Sequence, residues 1–231
     1  MSNESYVFTP PAVVALPVVD SEALFPVRRI FCVGRNYEAH AKEMGSEVDR
    51  EAPFYFMKSR DHIALSGATI PYPLATRNCH HEIELVVALG ADAVEIDREA
   101  ALECVYGYAC GLDLTRRDLQ QAAKEKARPW DLAKDFEHSA VVSAILPVSH
   151  AGHPNAGLIE LRVNGEVRQS SDLSLMIWSV PELIAHLSRH YQLQAGDLIY
   201  TGTPEGVGAV QIGDVLQGCI EGVGTLELTI S

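Results

Sequence analysis

The stretch CHHEIELVVALG, at residues 79–90, joins two opposite kinds of side chain in one short segment. From Ile83 to Leu89 most residues are apolar, which indicates a buried strand. Glu82 and Glu84 stand at its start, two positions apart, and residues with that spacing in a strand point to the same face. Like charges beside an apolar run resist burial. The segment therefore predicts a strand whose two carboxylates need a neutralising partner.

The flanking segments predict further strands and a few helices. A short helix is predicted for NYEAHAKEMG (36–45), closed by Gly45. A hairpin is predicted for LIELRVNGEVRQSS (158–171), which alternates on both sides of Asn164-Gly165. Strands are predicted for RRIFCVG, FYFMK and VYGYACGLDLT, at 28–34, 54–58 and 105–115.

Two possible capping boxes predict where helices begin. Thr115-Arg116-Arg117-Asp118 favours a helix over RRDLQQAAKEKA (116–127), and Ser179-Val180-Pro181-Glu182 favours one over PELIAHLSRHY (181–191). Residues 97–104 are a further predicted helix, and 46–53 a charged loop. Strand signals outnumber helix signals and do not alternate strictly with them. This pattern favours an α+β, mostly β domain over a doubly wound parallel sheet.

Composition excludes some classes of function. The chain has 231 residues and a net charge of -13, which argues against binding to nucleic acid or to an anionic membrane surface. No stretch approaches 18 uncharged apolar residues, and no basic region precedes the apolar N-terminal part. The five cysteines are odd in number and form no CxxC pair, which is typical of free thiols in a reducing cytosol. We therefore expect a cytoplasmic protein.

A third acid strengthens the case for a metal site. Asp113 ends the apolar stretch GYACGLD, and together with Glu82 and Glu84 it offers the oxygen ligands that Mg²⁺, Mn²⁺ or Ca²⁺ prefer. The alternative is a pair of solvated glutamates and a helix-start aspartate. His80 and His81 could bind zinc, but the zincin pattern HExxH is absent from the sequence. A structural or supporting role is the better interpretation for one of them.

Two kinds of residue suggest acid–base chemistry. His40 and Glu43 lie at i and i+3, so a carboxylate could orient an imidazole as a general base toward water. A solvated surface pair is the alternative. Lys134 and Lys58 are each flanked by apolar or aromatic residues and could stabilise an anion, or could equally extend to the surface.

A further set suggests recognition of an anion. Arg117 and Gln120 also lie at i and i+3 and could clamp a carboxylate, with an exposed helix face as the alternative. In TGTPEGVG the glycines allow close approach of the backbone to a ligand and Thr203 adds a hydroxyl, although a tight turn between strands explains the same residues.

Taken in order, six segments resemble the fumarylacetoacetate hydrolase family: CVGRNYEAHAKEMG, PFYFMKS, HHEIELVVALG, GYACGLDLTRRDLQ, PWDLAKDF and IYTGTPEGVG. The resemblance runs from about Pro26 to the C-terminus. Within the family the chain is most similar to the small bacterial fumarylpyruvate and acylpyruvate hydrolases. The resemblance implies a mixed β-roll or β-sandwich with a few short helices. It also implies a catalytic domain over 26–231, with residues 1–25 packed on it, and a homodimer.

The resemblance implies roles for the candidate residues. The metal-binding acids, for one Mg²⁺ or Mn²⁺ per chain, are matched by Glu82, Glu84 and Asp113. The water-activating pair, on a helix that can act as a lid, is matched by His40 and Glu43, and the lysine facing the reacting carbonyl by Lys134. Substrate-binding positions are matched by Arg117, Gln120 and Thr203 and, as weaker matches, by Tyr37 and Lys58.

Two positions depart from the family pattern. Arg35-Asn36 stands where the larger enzymes carry a further aspartate, which implies three protein carboxylates on the metal rather than four. Ser59 stands where relatives often have proline, which affects the expected shape of the pocket edge.

The implied activity is metal-dependent hydrolysis of a C–C bond in a 2,4-dioxo acid. In the fumarylpyruvate branch the products are fumarate and pyruvate, in aromatic degradation of the gentisate type. A general acylpyruvase and an oxaloacetate decarboxylase on the same scaffold are alternatives, as are isomerases or hydratases of 2-oxo acids. An alternative from another class is a non-catalytic protein that binds 2-oxo acids.

Overall fold

The computed structural model describes residues 5–45 and 50–231. The predicted loop at 46–53 falls partly outside these ranges. The strands in the described ranges are β1 (Ala15–Leu16), β2 (Phe25–Pro26), β3 (Ile30–Gly34), β4 (Phe54–Lys58), β5 (Ile63–Leu65), β6 (Ala68–Ile70), β7 (Cys79–His81), β8 (Ile83–Leu89), β9 (Val105–Asp113), β10 (Thr115–Arg116), β11 (Ala140–Val142), β12 (Leu146–Pro147), β13 (Leu158–Val163), β14 (Glu166–Asp172), β15 (Leu198–Tyr200), β16 (Gly208–Ala209), β17 (Val215–Ile220) and β18 (Gly224–Ile230).

The helices are fewer and mostly short. The α-helices are α1 (Glu38–Glu43), α2 (Arg117–Glu125), α3 (Asp131–Lys134), α4 (Val148–Ala151) and α5 (Val180–His190), and 3₁₀ turns cover Arg60–His62, Ala101–Cys104 and Leu173–Leu175. This content confirms the expectation of a mostly β architecture with a few short helices. No helix in the described ranges is long and apolar enough to cross a membrane.

Two large sheets form the body of the domain. One has the strand order β4-β3-β15-β8-β9-β11-β5, with β12 also paired to β9, and the other has the order β14-β13-β17-β18-β6. The first sheet is mixed, because β15 runs parallel to β3 and antiparallel to β8. Two smaller sheets, β10-β7-β16 and β1-β2, complete the set.

Strand β8 lies between two apolar cores. Ile83, Leu85 and Val87 belong to one cluster of buried residues, while Val86 and Ala88 belong to another. All seven residues of β8 are buried, which explains a sequence that is apolar on both faces. Burying one Leu or Val completely contributes about 1.5–3 kcal/mol, so the strand is firmly held. A side chain at its start therefore has a well-defined position.

Several local predictions are confirmed. The hairpin of β13 and β14 turns at Asn164-Gly165, where both φ angles are positive, as a two-residue turn between twisted strands requires. The capping box at the start of α5 is present, with the Ser179 side chain and Glu182 each satisfying a backbone amide. Helix α1 lies within 36–45, and Gly45 follows it with φ +68°.

Two helix predictions need correction. Thr115 does not cap α2: it belongs to β10, and its hydroxyl accepts a hydrogen bond from Lys134 Nζ at 2.6 Å. The residue before α2 is Arg116, whose side chain makes no capping bond. Over 97–104 the helical part is only the 3₁₀ turn Ala101–Cys104.

The N-terminal segment contacts the body of the domain. Leu16 is fully buried in the second core cluster, and Val18 bridges to Ile145. The stretch Tyr6–Val7–Phe8 forms no strand. All five cysteines are free, as the sequence predicted, and four of them are buried.

Candidate active site

The three acids meet where β8 begins and β9 ends. The two strands are antiparallel, with Ile83 opposite Leu112 and Glu84 opposite Gly111, and the Asp113 amide donates to the Glu82 carbonyl at 2.9 Å. This register places Glu82, Glu84 and Asp113 on one face. One carboxylate oxygen from each lies within 4.8 Å of the others, and all three residues are buried.

Three buried cations surround these acids. Lys134 Nζ donates to Glu82 Oε2 at 2.8 Å, to Asp113 Oδ2 at 2.6 Å and to the Thr115 hydroxyl, so its three donors are all used. Arg117 Nη2 donates to Glu82 Oε1. Lys58 Nζ lies 2.8 Å from Asp113 Oδ1. Three carboxylates therefore face three cationic side chains.

The acids differ in their electrostatic environment. Burial alone would raise the pKa of Glu82, but Lys134 and Arg117 outweigh it and hold that pKa well below its usual range. Burial, and then the charges of Asp113 and Glu82, raise the pKa of Glu84 well above its usual range. Glu84 Oε2 accepts only a backbone hydrogen bond, from Gly202 at 2.8 Å, among the described contacts. Of the two glutamates, Glu84 is the one that needs an added positive charge.

The donor set fits a divalent cation. Its oxygens are the ligands that Mg²⁺ and Mn²⁺ prefer, and three carboxylates leave coordination positions open for other ligands. Within the described residues, Asp113 Oδ1 accepts no aligned hydrogen bond, although Lys58 Nζ is near it. A cation beside Glu84 and Asp113 would satisfy both groups. Asn36 adds no fourth carboxylate to the site. Its side-chain nitrogen donates to the carbonyls of Trp178 and Thr201, and its side-chain oxygen accepts from the Trp178 amide.

His40 and Glu43 form the pair that their spacing predicts. Helix α1 brings His40 Nδ1 within 3.1 Å of Glu43 Oε2. The other Glu43 oxygen accepts from the Gly206 amide at 3.0 Å, which ties the helix to the TGTPEGVG loop. A Cβ at position 206 would lie 2.1 Å from the Arg168 carbonyl oxygen, so the backbone can take this position only with glycine. Burial is the largest influence on His40 and lowers its pKa, which keeps the imidazole neutral near pH 7.

Seven of the predicted residues line one small inner cavity, of about 30 Å³. In this cavity the Arg117 guanidinium donates to Gln120 Oε1 at 2.7 Å, so the two residues act as one unit on α2. The seven residues are His40, Glu82, Glu84, Arg117, Gln120, Lys134 and Thr203. Glu43 lies behind His40, and Asp113 lies behind Lys134.

Two predicted substrate contacts do not line this cavity. Lys58 is 2% exposed, and its ammonium contacts Asp113 and the carbonyls of Leu114 and Lys134. In this position it supports an acid rather than facing a ligand. Tyr37 is 1% exposed, and its hydroxyl has no hydrogen-bond partner among the described residues. It lines a separate surface cavity, so its contact with substrate stays a prediction.

A second, larger cavity adjoins the first. It has a volume of about 450 Å³ and shares Arg35, Phe56, Trp130 and Lys134 with the inner cavity. Phe54 packs edge-on against Trp130, with ring centroids 4.9 Å apart. We call it the outer cavity. The sequence analysis did not identify it, although Phe54 and Phe56 fall on one face of β4 by simple alternation.

Gln169 is a further residue that the sequence did not reveal. Its Oε1 accepts from the Ile83 amide at 3.1 Å and lies 3.0 Å from His81 Nδ1, while its Nε2 donates to the Thr203 hydroxyl at 2.8 Å. It is the one buried residue of β14. Gln169 therefore links the start of β8 to Thr203 and gives His81 the supporting role expected for one of the two histidines. A single amide in a polar strand carries no signal that distinguishes it from its exposed neighbours.

Comparison with known proteins agrees with this geometry. The chain is 50% identical over 189 residues to a fumarylpyruvate hydrolase of Ralstonia sp, covering 81% of this chain and 98% of the relative. It is 44% identical over 203 residues to the mitochondrial oxaloacetate tautomerase of Rattus norvegicus, covering 88% and 91% of the two chains. A crystal structure of fumarylpyruvate hydrolase from Pseudomonas aeruginosa in complex with Mn²⁺ and pyruvate superposes with a TM-score of 0.94. That chain is 48% identical, and the match covers 98% of this chain and 99% of the other.

A family model covers most of the chain as well. The model described as fumarylacetoacetate (FAA) hydrolase C-terminal matches residues 29–231. Its range contains the three acids, the His40–Glu43 pair, Lys134 and the residues of both cavities. The chain belongs to the fumarylacetoacetate hydrolase family.

Proposed function

We propose that this protein is a metal-dependent hydrolase that cleaves the C–C bond of a 2,4-dioxo acid, with fumarylpyruvate as substrate. The observation that carries the proposal is the meeting, in one cavity, of a carboxylate cluster, a buried lysine and a histidine oriented by a carboxylate. The similarity to fumarylpyruvate hydrolases over nearly the whole chain supports the same reaction.

His40 is the proposed general base. Because Glu43 engages Nδ1, Nε2 is left to accept a proton from water. Burial lowers the pKa of His40, so the base is in its neutral form at neutral pH. The oxygen of that water adds to the C4 carbonyl carbon, and the C3–C4 bond then breaks. The acyl part leaves as a carboxylic acid, and the proton held by His40 goes to C3 of the enolate, which gives pyruvate.

Lys134 is the proposed partner of the developing oxyanion. Burial would lower its pKa, but Asp113 and Glu82 more than offset this and raise the pKa, so the ammonium stays charged. A fixed positive charge in a buried site is worth a few kcal/mol to a transition state that gains negative charge. Its three donors already serve Glu82, Asp113 and Thr115, so direct donation to the substrate requires one of these bonds to exchange.

Glu82, Glu84 and Asp113 would hold Mg²⁺ or Mn²⁺, which when bound supplies Lewis-acid stabilisation for an enolate. The charges of the protein groups favour this assignment. The negative charges of the three carboxylates equal the positive charges of Lys58, Lys134 and Arg117. The two positive charges of a bound metal ion would therefore be neutralised by a ligand that carries two negative charges. A 2-oxo acid in its enolate form is such a ligand. Arg117, Gln120 and Thr203 line the cavity as polar groups that can orient it.

The first experiment is a spectrophotometric assay on protein stripped of metal and then reloaded. Loss of the enol absorbance of fumarylpyruvate, acetylpyruvate and oxaloacetate is followed with added Mg²⁺ or Mn²⁺. We expect metal-dependent cleavage that is fastest on fumarylpyruvate. Cleavage that is fastest on acetylpyruvate would make the protein a general acylpyruvase. An absence of turnover on all three would contradict the proposal.

Two variants test the roles of the residues. His40→Ala should reduce cleavage by about 10²- to 10⁴-fold, the range typical of a general base, while Mn²⁺ binding measured by calorimetry persists. Near-normal turnover would remove His40 from the mechanism. Glu82→Ala should abolish both Mn²⁺ binding and activity, and an unchanged metal requirement would place the metal elsewhere.

Oxaloacetate chemistry is a second candidate, because relatives at 42–44% identity are oxaloacetate tautomerases. A tautomerase needs a group that moves a proton at C3, and His40 could serve there without adding water. A decarboxylase would need no water either. The two chemistries are separated by following the enol absorbance of oxaloacetate together with CO₂ release. Enol loss without CO₂ would assign a tautomerase activity.

Other assignments belong to the same proposal. We expect a cytoplasmic homodimer that acts late in aromatic ring degradation of the gentisate type, in which hydrolysis releases fumarate and pyruvate. The exposed Val7 and Phe8, 100% and 77% accessible, are apolar surface that a second subunit could cover. Light scattering during gel filtration measures the mass, and a single 25.2 kDa species would contradict the dimer.

A further inference from the structure

We propose that Arg128 in the outer cavity binds a second, distal carboxylate on the acyl part of the substrate. This inference rests on the proposed function and deepens it. It assigns the acyl subsite to a dicarboxylic group such as fumaryl rather than to an uncharged group such as acetyl.

The outer cavity is placed to receive the acyl part. It is lined by Lys134, which faces the reacting carbonyl in the proposed mechanism, and by Phe56 and Trp130, which also line the inner cavity. A ligand that spans the junction therefore has its pyruvyl end near the acids and its acyl end among aromatic rings. A flat, unsaturated four-carbon chain suits such walls, because aromatic faces pack well against planar groups.

Arg128 supplies a charge that the reaction itself does not need. It lines the outer cavity but not the inner one. In the parts of the chain that the structure describes, its guanidinium has no ion pair, hydrogen bond or ring contact. A guanidinium is the cation best suited to bidentate binding of a carboxylate. Arg128 is exposed and lines the outer cavity beside aromatic rings, so it is available to a ligand whose apolar part ends in an anion.

The backbone at Arg128 is held in a defined position. Helix α2 ends in a Schellman motif: the Ala127 amide donates to the Lys124 carbonyl at 3.1 Å, and the Arg128 amide to the Ala123 carbonyl at 2.9 Å. Ala127 has φ +48°, the left-handed conformation that this motif requires. Trp130 then precedes α3, and its carbonyl accepts a hydrogen bond from the Lys134 amide at 2.9 Å. The turn therefore fixes Arg128 relative to Lys134.

A fumaryl group is short enough to lie within the outer cavity. Its distal carboxyl carbon is three C–C bonds from the carbonyl that is attacked, or about 4 Å. Arg128 and Lys134 line the same cavity, of about 450 Å³, which has room for a chain of that length. Asp131 also lines the outer cavity and opposes an anion, but Arg35 at the junction and Arg128 together exceed its charge. The local balance is therefore positive, in a protein whose net charge is -13.

The test compares two substrates that share the dioxo acid and differ in the distal carboxylate. For Arg128→Gln in the Mn²⁺-loaded enzyme, we expect the ratio of kcat/KM for fumarylpyruvate to that for acetylpyruvate to fall about 10- to 100-fold. Arg128→Lys should lose less, because it keeps the charge but not the bidentate geometry. Lys126→Gln is the matched control: it removes an exposed charge two residues away that lines neither cavity, and it should leave the ratio unchanged.

Two results would overturn the inference: an unchanged ratio in Arg128→Gln, or an equal fall with Lys126→Gln. If the wild type cleaves neither substrate, the proposed function is contradicted, and the role of Arg128 is then tested by ligand binding alone. Fumarate and crotonate, which share the same chain and differ by one carboxylate, are then titrated against the fluorescence of Trp130 in a Trp178→Phe background. At least tenfold weaker binding of fumarate alone in Arg128→Gln would support the subsite, and equal effects on both ligands would reject it.

Discussion

The inner and outer cavities differ in how their charges are arranged. In the inner cavity, acids and cations lie within 3 Å of one another, as with Lys134 between Glu82 and Asp113. In the outer cavity, Arg128 stands among aromatic side chains with no ion-pair partner in the described ranges. In terms of the two proposals, the inner cavity performs a reaction common to all 2,4-dioxo acids, while the outer one selects among them. A variant in the inner cavity should then affect every substrate equally.

Among the variants that test this comparison, the largest effect is expected from Lys134→Met, which keeps the side-chain length and removes the charge. Activity should fall about 10²- to 10³-fold, because a fixed cation near the developing oxyanion is lost. Lys134 lines both cavities, but its charge faces the oxyanion that both substrates form, so kcat at saturating substrate should fall equally for fumarylpyruvate and acetylpyruvate. Met at this position also removes one of the two cationic partners from Glu82 and from Asp113, so thermal unfolding is measured alongside. If the folded variant lost activity on one substrate only, the division of roles between the two cavities would be contradicted.

Glu84→Gln should remove metal-induced stabilisation. A ligand at 100 times its Kd adds about 2.7 kcal/mol to the free energy of unfolding, or a Tm rise of about 5–10 °C for a chain of this size. Wild-type protein should show this rise with Mn²⁺, and Glu84→Gln should not. Without metal, the variant should be at least as stable as wild type. The raised pKa of Glu84 means that its ionised form destabilises the fold above the pKa of an unfolded glutamate.

Glu103→Gln, which changes an exposed acid far from the cluster, is the control for this experiment. It should keep the full Mn²⁺-induced rise in Tm. A rise that persists in Glu84→Gln would remove Glu84 from the metal site.

A smaller effect is expected on the pH profile of Glu43→Gln. The hydrogen bond and the charge of Glu43 both raise the pKa of His40, against the larger lowering effect of burial. Removing the charge should lower that pKa further, so the acid limb of kcat/KM moves to lower pH. The plateau should also fall about 10-fold, because the imidazole is less well oriented. Glu38→Gln, on the same helix, should leave the profile as in wild type, and a limb that moves to higher pH would exclude His40 as the base.

The smallest effect is expected from Ala127→Gly in the turn that carries Arg128. A left-handed conformation costs an alanine more than a glycine, so the variant should gain about 0.5–1 kcal/mol in the free energy of unfolding. Urea denaturation with an unchanged m-value measures this. The ratio of the two substrates should stay unchanged. A loss of stability would show that the turn is not held in the left-handed form.

Local sequence patterns predicted the fold best where the structure depends only on residues that are close in sequence. Asn164-Gly165 and the Ser179 capping box were predicted correctly, because their geometry depends on neighbours in the chain. The capping box at Thr115 was wrong, because Lys134, distant in sequence, takes the hydroxyl. Tertiary contacts of that kind leave no trace in a short window of sequence.

The candidate site shows the same division. Strand alternation placed Glu82 and Glu84 on one face, and helix spacing paired His40 with Glu43. The family resemblance joined these pieces, and their roles stay predictions until variants are measured. Gln169 and the outer cavity could not be predicted from spacing, because they depend on how β4, β14 and the α2–α3 turn meet in space.

Ser59 has a consequence for engineering this chain toward its relatives. Its amide donates to Asp135 Oδ1 at 2.7 Å, and Asp135 also contacts His62 at 2.6 Å. A proline has no amide hydrogen and would leave Asp135 with one partner fewer. A substitution taken from the family at this position is therefore not neutral here.

Helix α1 has only six residues, and its buried side chains are His40 and Ala41. Isolated helices of this length are not stable in water, so α1 depends on its contacts with the rest of the domain, among them the bond between Glu43 and the Gly206 amide. The imidazole and the carboxylate that orients it lie on this one helix, so undocking would displace both together. In the proposed mechanism, activation of water therefore depends on the docked position of α1.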